Sequence, residues 1–139
     1  MLGVPLGDDA FVSQFVESKL LGRLKEKRKI IEKLAAFEDS QAALYLLRVS
    51  YSIVRAVHFM RTTPLRQWSK QSTEFDEIVR EAASDILGHP LSERVFLQAA
   101  LTPKLGGLGL RKSAEHAGFA FSASWHEARV QAGEVWLQA

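Results

Sequence analysis

The chain has 139 residues, room for one domain with a real core. It contains no cysteine, which excludes disulfides, thiolate metal sites and cysteine nucleophiles. Its 47% hydrophobic content argues against disorder. A formal charge of only +2 excludes bulk charge as a basis for nucleic-acid binding, so any such binding must come from local patches.

Residues 1–7, MLGVPLG, are apolar and broken by Gly3, Pro5 and Gly7, like the end of a strand and its turn. A short strand needs a partner sheet, so this start reads as a cut in a longer sequence. No charged segment followed by an apolar run stands at the N-terminus, so no signal peptide is expected. An intracellular setting, cytoplasm or nucleus, is the expectation. Asp8 or Asp9 then caps a helix carrying Phe11, Val12, Phe15, Val16, Leu20, Leu24, Ile31, Leu34 and Ala35 at helical spacing. Gly22 marks a bend in it. Beyond the bend lie six charges in seven residues, five of them basic: Arg23, Lys25, Glu26, Lys27, Arg28 and Lys29. Such a run is either a solvated helix face or a phosphate-contacting one.

The stretch 41–61, QAALYLLRVSYSIVRAVHFMR, is the most apolar in the chain and predicts a central helix, capped by 38–40 and buried on several sides. One stripe stays polar: Arg48, Tyr51, Ser52, Arg55, His58 and Thr62 recur at steps of three and four. It reads either as a solvated rim of snorkelling arginines or as a nucleic-acid-facing edge. Arg48, Arg55 and His58 make a membrane span too costly, so no membrane association is expected. Thr63 as N-cap with Pro64 at the first helical position predicts the next helix, with Leu65, Trp68, Phe75, Ile78, Val79, Ala82, Ile86 and Leu87 inward and Gly88 as its stop. Ser92 caps a short helix over 93–101. A glycine-rich loop over 103–111 follows. Ser113 then caps the last main helix, whose small residues 117, 118, 120 and 122–124 permit close approach, with bulk from Phe119, Phe121 and Trp125. A further helical turn carries Trp136, and the chain's end also reads as a cut.

The chemistry on offer is sparse. Gly7-Asp8-Asp9 has the letters of a polymerase metal motif but runs straight into a helix, where the aspartates serve as caps. Gly106-Gly107-Leu108-Gly109 lacks the strand and third glycine of a dinucleotide fingerprint and the Gly-Lys-Ser/Thr end of a Walker loop. It is either a tight turn or, with Arg111 and Lys112, a phosphate holder. His58, His89, His116 and His126 have no metal-ligand spacing. The tryptophans read as buried anchors by default. No active site assembles, and no cofactor is expected.

Taken in order, LGVPLG, DDAFVSQFV, LYLLRVSYSIVRAVHFMRTTP, EFDEIV, LTPKLGGLGLR and HAGFAFSASW resemble the region downstream of the catalytic palm in reverse transcriptases of non-LTR retrotransposons. The resemblance runs over nearly the whole chain and rests on the order and spacing of these pieces. It implies that residues 1–7, with Leu2-Gly3, are a remnant of the primer-grip strand and turn. Residues 8–139 would then form the thumb-like domain and its extension. The family's thumb holds the template–primer duplex, so the resemblance implies RNA/DNA duplex contact by some of Arg23, Lys25, Lys27, Arg28, Arg48 and Arg55. The family's catalytic aspartates lie upstream, in a tyrosine-x-aspartate-aspartate hairpin that this chain lacks. The expectation is therefore a fragment of an RNA-directed DNA polymerase that is no enzyme as an isolated chain and whose palm domain, if present, lies upstream. The fold expected is all-α, one thumb-like bundle of five to six helices. The alternative is a stand-alone helical protein–protein interaction module. Apolar surface around Val4, Leu6, Phe11 and Phe15 would promote self-association.

Overall fold

A computed structural model of the chain describes residues 3–26 and 28–138, without the side chains of Arg28 and of residues 135–138. The expected roles of Leu2 and Lys27, and of the Arg28 and Trp136 side chains, lie outside the described residues. The fold is all-α in one domain, as expected, and no strand occurs among the described residues. Residues 3–8 lead into α1 (Asp9–Val16), which passes through a π-helical turn (Glu17–Gly22) into α2 (Arg23–Glu26). Next come α3 (Arg28–Ala35), α4 (Ser40–Leu46), α5 (Val57–Thr62), α6 (Ser69–Leu87), α7 (Glu93–Ala100) and α8 (Ser113–Gln138).

Several local signals act as their chemistry requires. Asp8 accepts from the Phe11 N–H at 2.8 Å, and Asp39 from the Gln41 and Ala42 N–H groups at 2.9 and 3.1 Å. Ser92 caps α7 through the Val95 N–H. Gly88, at φ 66°, ends α6 in a left-handed turn in which the His89 N–H reaches the Ser84 carbonyl and the Gly88 N–H that of Asp85.

Three expectations need correction. The stretch 41–61 is not one continuous helix. It turns π-helical at Leu47–Tyr51, leaves helical geometry at Ser52 (φ −89°, ψ −148°), and resumes as a 3-10 turn (Ile53–Arg55) before α5. Nor is it central: Tyr45 and Val54 are both more than half exposed. That place belongs to α6, which packs against α3, α4, α8 and both π-helical turns. Second, Thr63 caps no helix. Pro64 opens a 3-10 turn (Leu65–Gln67), and α6 starts only after Trp68, whose indole is fully buried and donates to the Thr63 carbonyl at 3.2 Å. Burying that large ring outweighs a regular helix start. Third, Ser113 is the first residue of α8 and not its cap.

The cap on α8 comes from another helix. The Asp76 carboxylate, on α6 and only 6% exposed, accepts from the Ser113 N–H at 2.7 Å and the Ala114 N–H at 3.1 Å. The Ser113 hydroxyl lies 2.8 Å from that of Ser72, one turn earlier on α6. Burial pushes the Asp76 pKa up. The hydrogen bonds from Ser113 and Ala114, and the charge of Lys112, oppose that rise without cancelling it.

Around this frame Val12, Val16, Leu21, Leu47, Trp68, Phe75 and Leu110 are fully buried, and Leu20, Leu24, Ile31, Val79 and Ile86 are among the other core residues. The glycine loop folds back over the end of α7. The Leu108 and Leu110 N–H groups reach the Ala99 carbonyl, and the Gly109 N–H reaches that of Leu101. These are the carbonyls that a helix end leaves unpaired. A Cβ on Gly107 would stand 2.1 Å from the Leu101 oxygen, so only glycine fits there.

Gly107→Ala should cost about 1–3 kcal/mol in urea melts, whereas Gly133→Ala, in open space on α8, should gain up to about 1 kcal/mol. Asp76→Ala should cost about 1–3 kcal/mol by stranding one buried and one half-buried donor. Because the folded-state pKa of Asp76 is raised, its contribution is fullest below the ordinary aspartate value and is lost as pH rises through the raised one. The stability of wild type relative to Asp76→Asn should therefore fall as pH climbs from the ordinary aspartate value through the raised one. The same melts, repeated over pH, check this.

Candidate nucleic-acid interface

Both walls of one large cleft are built on helical irregularities. A π-helical turn holds an extra residue and rotates the following side chains relative to a regular helix; such turns recur at functional sites. The first, Glu17–Gly22, carries Lys19 and Leu20 into the cleft, and Arg23, Leu24 and Glu26 follow on α2. The second turn and the break at Ser52 bring Val54 and Arg55 to the opposite wall, with His58 and Phe59 on α5. The space between is about 770 Å³.

Arg55 is held in place by its own neighbourhood. Its Nε donates to the Ser50 carbonyl at 2.6 Å, and its guanidinium lies 5.5 Å from the centre of the Tyr51 ring. The Ser50 carbonyl lies just before the break at Ser52, so the irregularity that ends the helix also orients the arginine. Lys19 sits 6.0 Å from the centre of the Phe15 ring. His58 Nε2 donates to the Gly3 carbonyl at 3.2 Å, which ties residues 3–8 to the rim. Among the described residues Lys19, Arg23 and Arg55 make no ion pair. Among the described residues three cations thus share one cleft with a single carboxylate, Glu26, over an apolar floor of Phe15, Leu20, Leu24 and Phe59. Low-dielectric walls strengthen the pull of such a group on an anion.

The expected basic residues separate accordingly. Arg23 and Arg55 come together, although 32 positions apart in the sequence. Lys25 faces the other side of α2, where its ammonium meets Glu74 at 2.8 Å; that hydrogen bond, and then the charge of Glu74, raise its pKa. Arg48 lies against the Tyr45 ring, 5.4 Å from its centre, and beside Gly109. Of the expected polar stripe, Ser52 is fully buried. Lys19 escaped notice in the sequence, although it stands four residues before Arg23, the spacing of one helical face.

Asp8 and Asp9 are both engaged structurally, Asp8 in the α1 cap and Asp9 in accepting from Gln67 Nε2 at 2.7 Å. The glycine loop serves α7, as described, and His116 Nδ1 donates to the Lys112 carbonyl at 3.0 Å. Trp68 is the buried anchor expected, whereas Trp125 is exposed. No helix among the described residues is long and apolar enough to cross a membrane. Comparison of the chain with protein-family models, with curated proteins and with solved structures yields no match. The functional reading therefore rests on the residues themselves.

Proposed function

We propose that the chain is the thumb-like portion of a retroelement RNA-directed DNA polymerase, without catalytic activity of its own, and that its basic cleft contacts the phosphates of an RNA/DNA duplex. The polymerase part rests on the sequence resemblance, and the observation that carries phosphate contact is that Lys19, Arg23 and Arg55, free of carboxylate partners among the described residues, line one cleft. Clustered cations on a scaffold of modest net charge suit contact with a polyanion's backbone rather than reading of base edges. The structural engagement of Asp8 and Asp9 supports the non-catalytic part.

Fluorescence anisotropy with a labelled RNA/DNA duplex, titrated over a range of salt, tests the proposal. Affinity should fall steeply with salt, and Arg23→Ala and Arg55→Ala should each make the log–log slope shallower by about 1. Lys25→Ala should change it much less, since Glu74 already neutralises that charge. Binding indifferent to salt, or absent at low salt, overturns the reading.

A second reading, a helical protein–protein interaction module, is favoured by a different observation. Leu6 and Phe119 are each more than four-fifths exposed, and Phe11 and Trp125 are about half exposed or more.

A further inference from the structure

We propose that two copies of the chain associate through an antiparallel pairing of their α8 helices, centred on Ser122. This inference does not depend on the nucleic-acid reading. One face of α8 is taken up by its own domain: Ser113 and Ala117 are buried, Ala120 and Ser124 are half-buried, and the helix lies along α5 and α6. The opposite face carries Glu115, Gly118, Ser122, Trp125 and Arg129, spaced by three and four residues and all exposed. That spacing is the narrow seam of a two-helix contact. Phe119 and His126 flank it, and Phe119 is 81% exposed. Phe119 and Trp125, the latter 60% exposed, hold apolar surface in water on this side of the helix without a partner.

The seam selects its occupant by self-complementarity. When an identical helix is laid antiparallel about Ser122, Phe119 of one copy meets Trp125 of the other, and Gly118 meets His126. Glu115 meets Arg129. Each contact occurs twice, as a two-fold interface requires. No atom lies within 4 Å of where a Cβ on Gly118 would stand, so the facing imidazole has room. The Trp125 ring is already steadied by Phe121, stacked at 6.3 Å and 15°. Parallel pairing would set Glu115 against Glu115 and Arg129 against Arg129, so charge decides the direction. Arg129 makes no ion pair among the described residues, and Glu115 has only a distant contact of 3.9 Å with Lys112, so both are available across the seam.

Sedimentation equilibrium over a range of protein concentrations tests the pairing. Wild type should show a reversible monomer–dimer equilibrium. Phe119→Glu should raise the dissociation constant roughly tenfold or more. Arg129→Glu should weaken association through like charge, and adding Glu115→Arg to it should restore association. Circular dichroism of each variant should match wild type, since these positions are exposed. A monomer at every concentration overturns the proposal, as does association that Phe119→Glu leaves unchanged or that the double charge swap fails to restore. Larger aggregates indifferent to these substitutions, as contact through Leu6 and Phe11 would produce, overturn it as well.

Discussion

The Asp76 carboxylate accepts the first two N–H groups of α8 from inside the protein, and much of the remaining architecture depends on that contact. A helix that begins in an interior must find acceptors for its leading N–H groups, because water is absent there. A carboxylate in that place carries a desolvation cost, which raises the pKa of Asp76, and two hydrogen bonds, at 2.7 and 3.1 Å, offset part of it. The Ser72–Ser113 contact one turn away makes the joint two-pronged. With its start anchored on α6, α8 is directed along α5, where Arg61 and Glu127 meet at 3.4 Å. That ion pair is exposed and contributes little; the direction of α8 is set at its buried end.

The lie of α5 in turn bears on the cleft. A continuous helix over 41–61 would have carried Arg48 and Arg55 on one face, as a helix with two residues seven apart does. The π-helical turn and the break at Ser52 separate them: Arg48 stays by the glycine loop, and Arg55 lines the cleft that Arg23 also lines. A matching π-helical turn at Glu17–Gly22 aims Lys19 from the other side. The site is therefore made by two departures from ideal helix geometry, each with its local compensation, such as the Arg55–Ser50 hydrogen bond.

The two candidate surfaces occupy different places. The cleft lies between the α1–α2 segment and α5, and the proposed seam is on the side of α8 turned away from α5. A pairing through α8 would thus present two basic clefts on one particle, and bivalent contact with a long polyanion raises avidity without any new contact in either cleft.

Much of this protein was legible in its sequence. Periodic apolar residues determined the all-α class and most of the core, from Val12 to Ile86, because helical burial repeats with the helix's own period. Asp8, Asp39, Gly88 and Ser92 marked helix ends correctly, since caps act within a few residues of themselves. The basic run and the arginines of 41–61 were visible as candidates. Which of them meet was not, because Lys19, Arg23 and Arg55 converge only through packing between separate segments. Thr63 and Ser113 carried sound local signals that lost to burial of Trp68, five residues on, and to the Asp76 carboxylate, remote in sequence but in contact in space. The sequence by itself determined the periods, the caps and the charges; tertiary structure alone decided where helices break and which charges share a cleft. Those outcomes depend on side chains brought together from remote positions, which no local pattern encodes.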